Sequence, residues 1–195
     1  DPIQTAKEVA SLDQVSGGRF LFGIGAGWNA EEMADHGTEF GSRFKVMQER
    51  VEAMRAIWTK SKPEYSGEHV RFPPMMTWPK PAQKPHPPVI VGGAYPYGAR
   101  RAIAYGDGWV PHARRPAYGD VLNLLPDFQK MATAAGRDPT TIPITIFGVA
   151  EDPDLIKRYH DAGVARLVFN LPPAQADEVL SLLDRCARLM QQTHA

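Results

Sequence analysis

Residues 16–28 read SGGRFLFGIGAGW. Gly17-Gly18 supplies a glycine stop for a helix over residues 4–14. The apolar run that follows has the length and content of a strand, and the chain leaves it through Gly23, Gly25 and Gly27 with Trp28 immediately after. Glycines at the carboxyl end of a strand either let a neighbouring strand approach or bare the backbone to a flat or phosphorylated ligand, and the stretch by itself leaves both readings open. Four further runs of the same kind lie downstream: PPVIVGG (87–93), DGWVP (107–111), IPITIFGVA (142–150) and ARLVFNLP (165–172). None alternates strictly between apolar and polar residues, which is the pattern of parallel strands covered by helices on their faces.

Helix signals fill the intervals. SRFKVMQERVEAMRAIW (42–58) sets Phe44, Met47, Val51, Met54 and Trp58 at steps of three and four, one apolar stripe. A short helix is expected near Ala99–Tyr105, ending at Gly106, and another around Val121, Leu124, Leu125 and Phe128, which Pro126 should start or kink. EDPDLIKRYHDAG (151–163) carries Asp152 as N-cap, Pro153 at the first helical position and Gly163 as the stop. The last helix places Val179, Leu182, Leu183, Cys186 and Leu189 on one face. Five strands alternating with helices define an α/β protein. Residues 60–84 interrupt the rhythm; they are rich in proline and contain EYSGEHVRF (64–72), the pattern of a small hairpin, so this segment reads as an insertion in a single domain over 1–195.

Composition narrows the function classes. Twenty-two Lys and Arg balance 22 Asp and Glu, so no basic field attracts nucleic acid or an anionic membrane. No apolar run is long enough to cross a bilayer, and no signal peptide is evident. The single Cys186 excludes an internal disulfide framework and suits the cytoplasm. There is no Ser-His-Asp spacing, nucleophile elbow, Cys-x-x-Cys or His-x-x-x-His, and no metal site is expected.

In parallel α/β folds ligands collect at the carboxyl ends of strands. The candidate binding residues are therefore Gly25, Ala26, Gly27, Trp28 and Asn29; Gly92, Gly93 and Ala94; Pro111, His112, Arg114 and Arg115; Ala150 and Glu151; and Asn170. GIGAG matches a dinucleotide fingerprint only in part, because its sixth position is wrong. Gly92-Gly93 followed by a helix near Gly98 is the stronger anion pocket, through free backbone N–H groups and Arg100 and Arg101. Of the histidines, His112 is the catalytic candidate. His36 reads as a satisfied loop histidine, and His69, His86, His160 and His194 sit in segments that look exposed. Glu31-Glu32 read as a helix start, Cys186 as packing, and Trp58 and Trp78 as structural.

LDQVSGGRFLFGIGAGWNAEEMADHGTEFGSRFKVMQERVEAMRAIWT (12–59), then YSGEHVRF, PKPAQKPHPPVIVGG and RAIAYGDGWVP, resemble the luciferase-like flavin and deazaflavin oxidoreductases, and within them the branch dependent on coenzyme F420. The resemblance covers nearly the whole chain. It implies a (β/α)8 TIM barrel of the luciferase-like type, with the strand of residues 19–26 as the fourth and those near Val89, Gly108, Ile142 and Ala165 as the fifth to eighth; strands one to three are not in these residues. It implies Gly25, Ala26, Gly27 and Trp28 beside the tricyclic ring, Gly92, Gly93 and Ala94 at the cofactor phosphate, and a homodimer. The sugar-phosphate dehydrogenases of the branch carry a glutamate acid near the position of Trp28, which argues against that substrate here.

Three functions stay open on these grounds. The first is an F420-dependent oxidoreductase moving a hydride between deazaflavin and a small-molecule substrate, with Arg114 and Arg115 suited to the acidic tail of F420. The second is an FMN-dependent monooxygenase of the same fold. The third is a non-catalytic remnant that keeps the packing of the barrel.

Overall fold

A computed structural model of the chain describes residues 1–113 and 120–193. They form two compact units, Asp1–Ile90 and Val91–Ala195.

In the first unit, helix α1 (Pro2–Val15) is opened by the Asp1 carboxylate, which accepts from the Ile3 N–H, and Gly17 and Gly18 follow its end at φ 65° and 78°. Strand β1 (Phe22–Ile24) is shorter than the apolar run around it. Helix α2 (Ala30–Asp35) is capped by the Asn29 side chain, which accepts from the amides of Glu31 and Glu32; those two glutamates fill its first turn, as read. A 3-10 turn at Phe40–Ser42 leads into α3 (Arg43–Thr59).

Helices α1 and α3 pack together through small residues. Ala6, Val9 and Ala10 are buried on one, and Val46, Met47, Val51, Ala53, Met54, Ile57 and Trp58 on the other. The alanines admit the Trp58 indole, whose Nε1 donates to the Ala6 carbonyl at 2.9 Å. Phe44 is only half-buried; Met47, Val51, Met54 and Trp58 of the expected stripe are buried, and Val46, Ala53 and Ile57 widen the covered face. The last carbonyls of α3 are met by Lys80, whose ammonium donates to Ile57 O and, at 2.7 Å, to Lys60 O.

The inserted segment holds the expected hairpin, β2 (Tyr65–Ser66) antiparallel to β3 (Arg71–Phe72). Glu49 of α3 ties it down: its carboxylate accepts from the amides of Glu68, His69 and Val70 at 2.9, 2.7 and 2.9 Å. Two sequence expectations fail in this unit. Trp78, read as structural, is 66% exposed, because it stands at the start of a Pro-rich run that packs through its neighbours Thr77 and Pro81. His86, read as exposed, is half-buried, with its ring 5.8 Å from that of Trp58.

Strand β4 (Val89–Gly92) crosses the boundary between the units. In the first unit the Phe22 amide donates to Pro88 O just before it; in the second the Gly93 amide donates to Val110 O just after it. The second unit continues with α4 (Tyr97–Tyr105), β5 (Gly108–Val110), α5 (Val121–Ala134), a 3-10 turn at Pro139–Thr141, β6 (Thr145–Phe147), α6 (Pro153–Asp161), β7 (Arg166–Val168) and α7 (Ala176–Thr193). β6 and β7 are parallel, with Thr145 opposite Arg166 and Phe147 opposite Val168, and parallel bridges join Trp109 to Ile144 and His112 to Phe147. The core of this unit is Val121, Leu125, Ile146, Val149, Ile156 and Tyr159, beside the Trp109 and Phe128 rings stacked at 5.0 Å.

Pro126 does not start α5. Asp120 caps the helix six residues earlier, and Pro126 lies inside it on the exposed side, where water can serve the carbonyl that its missing N–H would have met. Arg137 closes α4 from outside the helix, its Nη1 donating to the carbonyls of Ala102, Ile103 and Gly106. The caps of α6 are those read from the sequence: the Asp152 carboxylate accepts from the Asp154 and Leu155 amides, and Gly163 has φ 78°. On α7, Leu182 and Cys186 are buried while Leu183 is exposed, so the buried face is narrower than its apolar stripe. Burial and the nearby Glu151 push the Cys186 thiol up, which suits packing. The strands are not equally covered. β4 and β5 are almost wholly buried, whereas β1 and β7 are half-exposed.

Candidate functional site

Two groups of strand-end residues carry the candidates, one in each unit. In the first unit Gly25, Ala26, Gly27 and Trp28 line a cavity of ≈ 510 Å³ whose apolar wall includes Phe22, Ile24, Val46, Met47, Val51 and Met54. Among the described residues, a Cβ placed on Gly23 or Gly25 would meet nothing within 4 Å. Gly27 differs. It has φ 80°, and a Cβ there would meet the Met33 sulfur at 3.2 Å. Trp28 is 82% exposed beside this loop.

Polar groups of the same cavity escaped the sequence reading. Arg43 lines it with the guanidinium 3.6 Å from the Phe40 ring centre and 4.2 Å from that of Phe44, held by donation to Phe40 O at 2.6 Å. Its place at the first turn of α3 made it look like an ordinary helix-start residue; the flanking phenylalanines were the available signal. His36, read as a satisfied loop histidine, closes α2 and also lines the cavity.

In the second unit the Gly92-Gly93 turn is held from three directions. Gly93 donates to Val110 O, and its own carbonyl accepts from Trp109 Nε1 at 2.8 Å. A Cβ placed on Gly98 would collide with the backbone of Gly93, and one on Gly93 would meet Gly98 Cα and Arg101 Nη2, each at 3.1 Å. These glycines let the first turn of α4 sit directly on the end of β4. The Gly93 amide is therefore taken, and Arg100 lies 5.7 Å over the Tyr97 ring.

His112 stands past the end of β5, its ring edge-on to Phe147 with centres 5.3 Å apart. Gly148 follows Phe147 with φ 79°; a Cβ there would meet His112 Cε1 at 3.0 Å, and His112 Nδ1 and Asn170 Nδ2 at 3.5 Å each. Asn170, after β7, thus lies near the same glycine as His112. Glu151 is engaged elsewhere, in an ion pair with Arg185 at 2.7 Å. Arg114, Arg115 and His194 lie outside the described residues. Among the described residues no group of three His, Cys, Asp or Glu could hold a metal ion, and no helix is long and apolar enough to cross a membrane.

Parallel strands joined through helices, with glycines and aromatic rings at the strand ends, define an α/β protein. Residues 1–192 match the model of the luciferase-like monooxygenases. The chain belongs to that family. A Mycobacterium tuberculosis relative described as "Uncharacterized protein Rv0953c" is 40% identical over 192 residues, 96% of this chain and 65% of that protein. This chain therefore spans about two thirds of the length of that relative. The F420-dependent hydroxymycolic acid dehydrogenase of the same organism is 32% identical over 72% of this chain and 38% of its own length. The FMNH2-dependent dimethylsulfone monooxygenase of Pseudomonas putida is 33% identical over 77% of this chain and 42% of its own. The crystal structure of the monooxygenase RslO1 from Streptomyces bottropensis superposes with a TM-score of 0.81 at 22% identity, covering 100% of this chain and 74% of that one. The fold class is accordingly that of the luciferase-like α/β barrel, matched in part. These two relatives are named for dependence on F420 and on FMNH2, which supports a flavin-type cofactor in general.

Proposed function

We propose that the protein is an oxidoreductase that binds coenzyme F420 and passes a hydride between it and a small organic substrate. The observation that carries this reading is the loop leaving β1: open backbone at Gly23 and Gly25 beside the exposed Trp28 indole. A flat tricyclic ring needs such a surface, apolar on one side and free of side chains on the other. The residues present fit the group. In the first unit Gly25, Ala26 and Trp28 would suit a flat ring; in the second, the turn into α4 would suit a phosphate, and Arg114 and Arg115 suit an acidic tail. When bound, the deazaflavin supplies the hydride chemistry; the chain contributes position and the exclusion of water. His112 is the proposed proton-handling residue. The reading includes a homodimer acting in the cytoplasm on a small-molecule substrate, without nucleic-acid or membrane partners.

A second reading, an FMN-dependent monooxygenase, is favoured by the likeness to the dimethylsulfone enzyme. Fluorescence titration of the protein with F420 and with FMN separates the two. F420 is expected to bind at least about tenfold more tightly, a gap of ~1.4 kcal/mol. Equal or reversed affinities would transfer the assignment to FMN, and binding of neither would remove both. Gly27→Val is expected to weaken whichever cofactor binds, because a branched side chain suits neither φ 80° nor the 3.2 Å approach to Met33.

A further inference from the structure

We infer that Trp109 is a positioning residue for a bound phosphate: its indole N–H holds the carbonyl of Gly93 and thereby aims the N–H of Ala94. One hydrogen bond sets the geometry. Trp109 Nε1 donates to the Gly93 oxygen at 2.8 Å. The peptide between Gly93 and Ala94 is trans. In a planar trans peptide the C=O and the N–H that follows it point to opposite sides. With the Gly93 oxygen turned to the indole, the Ala94 N–H is turned away from that buried ring. The amide of Gly93 is fixed as well, by donation to Val110 O at 3.1 Å. Two successive residues of β5 therefore hold both polar groups of Gly93, one through its backbone and one through its side chain. On the far side the Gly98 amide donates to Ala94 O at 2.5 Å, so the turn has no slack where it enters α4.

The donor is itself held in place. Trp109 is fully buried, and its ring lies on that of Phe128 from α5 with centres 5.0 Å apart and planes 12° from parallel. Its backbone amide donates to Pro143 O at 3.1 Å, and the residue bridges to Ile144. A buried indole N–H needs a partner where it points, and here the partner is the turn. Phenylalanine could fill most of this position; what tryptophan adds is the donor. The acceptor side is selective too. Gly93 has φ 143°, a conformation that L side chains rarely adopt, so this orientation of its carbonyl is open to glycine. A turn oriented by β5 before any ligand arrives needs no rearrangement on binding, which is where preorganisation gains affinity. The inference deepens the proposed function, and it rests on that reading only for the claim that the phosphate belongs to a cofactor.

The probe is inorganic phosphate, added to the whole 15N-labelled protein without cofactor. The Ala94 amide signal is expected to move saturably. Of the four tryptophan indole signals, that of Trp109 should move with the same midpoint, because a phosphate that accepts from the Ala94 N–H polarises the peptide whose oxygen the indole meets. Trp109→Phe keeps a ring against Phe128 and removes the donor; phosphate should then bind at least about tenfold more weakly. Phe128→Leu loosens the stack and keeps the donor; it should lower the thermal midpoint and leave phosphate affinity within about twofold. Trp109→Phe should also weaken FMN or F420, whichever binds, and leave the dephosphorylated form of that cofactor unaffected. Should Trp109→Phe fail to fold, the two signals of the parent decide. The inference is overturned by an Ala94 amide that phosphate does not move saturably, or by an indole signal that stays fixed while the amide moves. Phosphate binding in Trp109→Phe equal to the parent, or as large a loss in Phe128→Leu, would overturn it too. If F420 and FMN both fail to bind while phosphate moves both signals, the proposed function falls and the role of Trp109 stands; if a cofactor binds and the indole stays fixed, this inference alone falls.

Discussion

Asp13 is the acid on which the geometry of the first unit turns. It sits in the last turn of α1, fully buried, and receives two hydrogen bonds from Gln83: the backbone amide to Oδ2 at 2.8 Å and Nε2 to Oδ1 at 2.7 Å. Gln83 Nε2 also donates to Phe20 O at 2.8 Å, two residues before β1. One carboxylate thus fixes the residue that aligns the strand carrying the glycine loop. Replacing Asp13 with alanine removes both acceptors and leaves a part-buried amide and carboxamide to find water. Hydrogen bonds to a charged group are worth about 1.5–3 kcal/mol each, and the variant is spared the cost of burying the carboxylate, so a net loss of about 3 kcal/mol is expected. Asp13→Asn keeps one acceptor at nearly the same volume and should lose about half as much. Native-state exchange of the Gln83 amide reads the effect locally, where opening of only one unit would still be seen. A loss of about 3 kcal/mol corresponds to roughly a hundredfold faster exchange in Asp13→Ala. Exchange within about threefold of the parent, or an Asp13→Asn variant as perturbed as the alanine, would refute the assignment of Asp13 as the anchor.

Two further outcomes follow from the same structure. Burial alone would raise the pKa of Glu49, but its hydrogen bonds from the amides of His69, Glu68 and Val70 outweigh it and hold the group below the ordinary glutamate value. A depressed folded pKa stabilises the hairpin above the unfolded value, and that contribution is lost as pH falls through the folded one; amide exchange at 68–70 should quicken in that acid window, and in Glu49→Gln the acid step should disappear. Gly98→Ala forces a methyl group onto the Gly93 backbone and should destabilise the second unit by about 2 kcal/mol in urea unfolding followed through the buried Trp109; an unchanged midpoint would show that the turn has room to move.

Much of this architecture is local in origin and could be read from the chain. Asp152 with Pro153 and Gly163 mark both ends of α6 because capping uses groups within a few residues of one another. The five apolar runs each contain a strand, since burial on both faces leaves its mark on composition. Gly25 to Trp28 stood out because three glycines at a strand end serve no local need. What the sequence could not state is which distant groups meet. Arg137 caps a helix more than thirty residues upstream, Glu49 grips a hairpin about twenty residues ahead, and Asp13 reaches Gln83 across seventy residues. The roles of the glycines were likewise decided in three dimensions: open space beside Gly25, backbone contact between Gly93 and Gly98, and at Gly148 a close approach to the His112 ring. Periodicity records whether a residue is covered; only the folded chain decides by what, because hydrogen bonds and steric contact act over a few ångströms in space without regard to separation along the chain.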